Sequence, residues 1–170
     1  MNDSERKNEL FTNAMSNLMN DKLSVSIDLL NELINVDTDN KLAYLARGSV
    51  YLKMSDSKHA IDDFNQALEI DANHPKAYHL RGLAYEMAGD DDEASQDFNR
   101  AIDIDPEYGA AFYSRASLLT KMGREDSAFE DMKMVEHLSN LNIENFANEN
   151  NVWRSRQLQL EEAMESEIYR

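Results

Sequence analysis

The stretch that decides the fold is residues 75–108, PKAYHLRGLAYEMAGDDDEASQDFNRAIDIDPEY, read beside residues 41–74, KLAYLARGSVYLKMSDSKHAIDDFNQALEIDANH. A shift of 34 residues carries Ala43-Tyr44 onto Ala77-Tyr78, Arg47-Gly48 onto Arg81-Gly82, and Asp63-Phe64-Asn65 onto Asp97-Phe98-Asn99. Arg115-Ala116 continues the phase downstream, and Val36-Asp37 opens the series that Ile70-Asp71 and Ile104-Asp105 complete. A fixed period of this size marks a stacked array, in which each unit buries its apolar face only against its neighbours.

Four units begin at Lys7, Lys41, Pro75 and Gly109, the first of them degenerate. Position 4 is large (Leu10, Tyr44, Tyr78, Phe112), position 8 small (Ala14, Gly48, Gly82, Ala116) and position 11 mostly large (Asn17, Tyr51, Tyr85, Leu119). Position 20 is small again (Ser26, Ala60, Ala94, Ala128), and position 24 is Leu30, Phe64, Phe98 or Met132. Each set shares one helical face, which predicts two helices per unit packed large against small. Polar turns such as Ala88-Gly89-Asp90 separate them, with glycine suited to a left-handed helix end. On this reading Tyr44, Tyr51, Tyr78 and Tyr85 are core, together with the small residues and Phe64 and Phe98. Arg47, Arg81 and Arg115 recur with Asp63, Asp97 and Asp131, and both types vanish together in the first unit, at Asn13 and Leu29. That covariation predicts an Arg–Asp bridge between helices.

Tyr78, Gly82, Tyr85, Gly89, Ala94, Phe98, Ala101 and Pro106 together resemble the tetratricopeptide repeat family, and the unit from Lys41 keeps the set except for Ser55 and Ala72. The resemblance covers roughly residues 7–140 and implies an all-α, right-handed superhelical solenoid of antiparallel helix pairs with a concave face lined by the first helices. The expected organisation is a leader over 1–6, repeats at 7–40, 41–74, 75–108 and 109–140, then a linker and C-terminal capping helix over 141–170. Helix pairs are expected near 7–36, 41–70, 75–104 and 109–138, with a last helix from about 150 to 168. Trp153, Leu160, Met164 and Ile168 fall on one face of that last helix.

The family's ligand contacts come mostly from repeat positions 2, 5, 6, 9, 12 and 13 of each unit. On this chain they select Phe11, Met15 and Leu18 from the first unit and Leu42, Leu45, Ser49 and Leu52 from the second. The third supplies Lys76, His79, Leu83 and Met87, and the fourth Tyr113. Members that hold chaperone tails clamp a terminal carboxylate with Lys, Asn, Asn, Lys and Arg. The matching positions here are Phe11, Met15, Ala46, Lys76 and Leu80, so only the lysine is kept. The resemblance therefore implies a scaffold for a protein or peptide, such as an apolar helix, rather than a receptor for acidic tails. The alternative is a structural protein that forms a homo-oligomer through groove and C-terminal helix.

Composition narrows the class. Hydrophobic residues make up 42% of the 170, enough for a packed core. The net charge of −16 opposes nucleic acid as a partner, since phosphate binding needs clustered cations. No apolar run approaches the ~20 residues of a membrane helix, and the first residues lack the basic and apolar regions of a signal peptide. With no cysteine, a thiol nucleophile is excluded, and a cytoplasmic location is expected. His59, His74, His79 and His137 show no metal-ligand spacing, and no glycine-rich phosphate loop or nucleophile motif occurs. No catalysis, cofactor or metal is expected.

Overall fold

The computed structural model describes residues 2–149. Eight helices follow in order: α1 Asp3–Met19, α2 Leu23–Val36, α3 Lys41–Lys53, α4 Ser57–Ile70, α5 Pro75–Ala88, α6 Asp91–Ile104, α7 Gly109–Lys121 and α8 Glu125–Glu149. α3, α5 and α7 start at the first residue of their units, as the sequence phase expects, whereas α1 begins at Asp3, four residues before Lys7 and within the expected leader. Local chemistry sets the boundaries. Asn2 and Glu5 form a capping box on α1, and Asn40 and Asp56 accept from the backbone N–H of Ala43 and His59. Pro75 opens α5, where its missing N–H costs nothing. Asp91, Asp92 and Glu93 fill the first turn of α6, where the helix dipole favours anions.

Each first helix reverses into its partner through one left-handed residue. That residue is Gly89 (φ 89°) and Gly123 (φ 74°) in the later units, but Asp21 (φ 61°) and Ser55 (φ 60°) in the earlier ones. Glycine has no Cβ to clash there, whereas the other two are strained.

Every helix packs on its predecessor and its successor. The odd-numbered helices also touch one another (α1 with α3, α3 with α5, α5 with α7), whereas among the described residues the even-numbered ones do not. The stack therefore curves with the first helix of each unit on the inside. Within a unit, small residues admit large ones. A Cβ on Gly48 would lie 2.6 Å from the Phe64 ring, and one on Gly82 would lie 2.6 Å from that of Phe98. The first unit pairs Ala14 with Leu30, trading ring volume for a methyl group, and both are fully buried. Ser26, at the small position of α2, satisfies its buried hydroxyl by donating to the Ala14 carbonyl at 2.9 Å. Between units, Leu30, Leu33 and Ile34 meet Ala43, Ala46 and Val50, and Phe64, Ala67 and Leu68 meet Ala77 and Ala84.

The Arg–Asp bridges form in all three units. Arg47 donates from Nε and Nη2 to Asp63 at 2.9 and 2.6 Å, Arg81 to Asp97 at 2.8 and 2.7 Å, and Arg115 to Asp131 at 2.8 and 2.7 Å. The third guanidinium nitrogen crosses the joint to the preceding unit. Nη1 reaches the side-chain oxygen of Asn31, Asn65 and Asn99 at 2.6, 2.7 and 2.6 Å respectively. Asp63, Asp97 and Asp131 are buried, with side chains 5–9% exposed. Burial pushes the Asp63 carboxyl up while Arg47 pulls it down, and hydrogen bonds to Asp63 and Asp97 hold Arg47 and Arg81 more firmly protonated.

Two expectations are corrected. Tyr44, Tyr51, Tyr78 and Tyr85 are half-buried rather than core. Arg47 lies 5.7 Å from the Tyr44 ring centroid, and Arg81 lies 5.4 Å from that of Tyr78 and 5.8 Å from that of Tyr85. These rings bury a face under a cation and keep an edge toward water. The last helix does not stop near 138 but continues to Glu149, since no glycine or proline interrupts residues 125–149. The expected helix over 150–168 lies outside the described residues.

Candidate binding groove

The structure gathers the expected contact residues of the first helices into three depressions rather than one trough. The first lies across the first three units. Phe11, Met15 and Leu18 of α1 face Leu42, Leu45 and Ser49 of α3, and Lys76 of α5 closes one side. Ala46, Leu80 and His74 complete it around about 190 Å³. His74 is the N-cap of α5, its Nδ1 accepting from the Ala77 N–H at 3.2 Å. No periodic signal marked it, because it sits at a unit's end rather than at a contact position.

The second depression takes Leu52, Leu83 and Met87, edged by Lys53, Glu86 and Lys121. Lys53 is engaged by Asp21 at 2.8 Å and Lys121 by Asp91 at 2.7 Å, whereas Lys76 has no ion-pair partner among the described residues. Burial raises the Glu86 carboxyl, with Lys121 opposing. The third depression holds His79 and Tyr113 with Ser114, Gly109 and Ala110, and the stretch from Val135 to Asn142 of α8 forms its outer wall.

The residues differ in how they meet solvent. Leu42, Met87 and Tyr113 are open, at 54%, 46% and 59% exposure, whereas Leu45 and His79 are buried at 6% and 8%. Leu45 belongs to the core cluster with Phe64 and Leu68, so it forms the floor of its depression rather than a free contact.

His79 joins the third unit to the fourth. Its Nε2 lies 2.9 Å from Ser114 Oγ and its Nδ1 3.2 Å from the Tyr108 hydroxyl. The neutral ring donates through one nitrogen and accepts at the other, so both hydroxyls are satisfied in either tautomer. Its ring lies edge-on to Tyr108, and burial, with help from Lys76, lowers its pKa to about 4. Such an imidazole is neutral at pH 7 and a weak base, so the contact with Ser114 does not make a nucleophile pair. Among the described residues no group of three His, Asp or Glu side chains could hold a metal ion, and no helix is long and apolar enough to cross a membrane.

Stacked helix pairs, an inward-facing row of first helices and a partly apolar groove define an α-solenoid of the repeat-protein class. Residues 41–107 match the tetratricopeptide repeat profile. No curated protein matches the sequence significantly. Among solved structures, the crystal structure of MamA superposes with a TM-score of 0.74 at 22% identity, covering 81% of each chain. The first tetratricopeptide domain of Spaghetti (RPAP3), bound to the HSP90 peptide SRMEEVD, gives 0.67 at 22% identity over 71% of this chain and 95% of that one. The Arabidopsis OM64 tetratricopeptide domain gives 0.67 at 22% identity, covering 71% and 99% respectively. At these identities the likeness is one of fold.

Proposed function

We propose that the protein is a non-catalytic scaffold that binds an apolar peptide or helix along its concave face. The observation that carries this reading is the first depression, where Phe11, Met15, Leu18 and Leu42 line an inward-facing hollow floored by Leu45. An apolar concavity with few polar groups suits side chains such as Leu, Ile or Phe of a partner. An acidic tail is the poorer fit, because four of the five clamp positions are Phe11, Met15, Ala46 and Leu80, which offer a carboxylate no donor side chain.

The test uses residues that are open rather than structural. Leu42→Glu combined with Met87→Glu places charge in two depressions without touching the core. Proteins captured from the native lysate by the wild-type chain should be lost from this variant, while its melting temperature stays within a degree or two. Capture of the same proteins by the variant would rule out the concave face as the site. A concentration-dependent oligomer that the same variant turns into a monomer would make the occupant a second copy of the chain.

A further inference from the structure

The second depression holds one group that an apolar partner leaves without a role. Repeat position 12 is Leu18, Leu52, Glu86 and Thr120 along the chain, so a carboxylate stands in the third unit where the first two have leucine. Glu86 is half-buried and lines the depression with Leu52, Leu83 and Met87. Among the described residues its carboxylate has no hydrogen-bond donor and no ion-pair partner. The two lysines at the edge are already engaged, Lys53 by Asp21 at 2.8 Å and Lys121 by Asp91 at 2.7 Å. Each lysine cancels its own aspartate, which leaves the depression with the single negative charge of Glu86. This carboxylate gives up hydration and receives no donor in return, so burial holds its pKa above the ordinary value.

We propose that the second depression receives a lysine or arginine side chain of the bound peptide, an inference that rests on the concave-face reading above. The walls and the charge suit the two halves of such a side chain. Leu52, Leu83 and Met87 cover its methylene stem, and Glu86 meets its cationic head. Met87 is 46% exposed, and its flexible thioether adapts to stems of different length. A leucine in the same place would strip the remaining water from Glu86 and supply no donor. The field of the whole molecule acts in the same direction, since a net charge of −16 draws a cationic segment toward the surface. The charge also sets a spacing. Leu80 of the first depression and Glu86 of the second lie six residues apart on α5, about 9 Å at ~1.5 Å per residue. A peptide with its apolar anchor in the first depression would carry the basic residue about six positions away if helical, or about three if extended.

The probe is a phage-displayed library of random peptides selected on the full chain, with recovered sequences synthesised and measured by fluorescence anisotropy. They should share an apolar anchor and a Lys or Arg at one of those two spacings. Glu86→Gln should weaken such a peptide about tenfold, and Glu86→Lys should weaken it further. Exchanging the basic residue of the peptide for Glu should restore binding to the Glu86→Lys protein, which a merely misfolded variant would not allow. Leu42→Glu should release the parent peptide by acting on the first depression. Peptides that Leu42→Glu releases but that lack a basic residue, or that ignore Glu86→Gln, would overturn the proposal and leave the concave-face reading standing. So would a charge exchange that restores nothing. A library that yields no peptide sensitive to Leu42→Glu would overturn that reading and the proposal together.

Discussion

Each arginine of the ladder makes three bonds, two within its own unit and one to the unit before. Removing Arg81 strands a buried carboxylate, at a cost of roughly 2–4 kcal/mol, whereas removing Asp97 as well takes that penalty away. A double-mutant cycle in urea should give a coupling above about 1 kcal/mol, and a value near zero would show that the bridge is ornamental. Asn65→Ala should cost about 1.5–3 kcal/mol by leaving one Arg81 N–H without its acceptor, while Lys133→Ala at the same repeat position should cost almost nothing. The Arg–Asp half of this device was legible in the sequence, because both residue types drop out together in the first unit. The Asn half was visible only as part of the repeated Asp-Phe-Asn phrase. Its phase is offset by a unit: Asn31 stands in the first unit, which has no arginine of its own, because it serves Arg47 of the second.

His79 makes a second prediction at this scale. Its pKa falls from the ordinary 6.5 to about 4 because the charged ring would be buried. The unfolded chain therefore binds the proton more readily than the folded one. Stability on this account is complete above about pH 6.5 and is lost as pH falls toward 4, by about 2 kcal/mol between pH 7 and pH 5. His79→Gln keeps a hydrogen-bonding group but cannot titrate, and the carboxylates common to both proteins cancel. Urea midpoints at the two pH values should fall less in the variant, and equal losses would show that the ring is not held neutral.

Among the elements, the helix pairs were readable because large and small positions alternate with the period of a helix. The close approach of α5 and α6 rests on Gly82 facing the Phe98 ring. Gly82→Ala should cost about 1–3 kcal/mol through overpacking. Adding Phe98→Leu should recover part of that loss, since Ala14 and Leu30 already show an Ala–Leu pair in this geometry. The reverse turns offer a gain. Ser55→Gly, at a left-handed position that glycine fills in the next two units, should raise stability by about 1 kcal/mol in a thermal melt. The tyrosines were misjudged because a pattern of large and small residues reports which face packs, not how deeply. The run of asparagines after residue 138 suggested a linker, yet asparagine disfavours a helix only mildly and does not break one.

For the whole molecule, the sequence showed which faces turn inward but not how the relief divides. Leu42 and Leu45 sit three residues apart on one helix, and only the packed structure separates an open contact from a floor. The stack also has a direction. Units two to four each carry a buried guanidinium bridge between their own helices, while the first pair, with Asn13 and Leu29 in those places, has instead the exposed pair Arg6–Glu32 at 2.7 Å. Repeat arrays open unit by unit, their stability being a sum of local and neighbour contributions. The molecule should accordingly behave like a zip fastener with one loose end. In hydrogen exchange, α1 and α2 should lose protection before α4 and α6, and a load pulling on the two ends of the chain should peel the first helix pair away while the remaining units stay engaged.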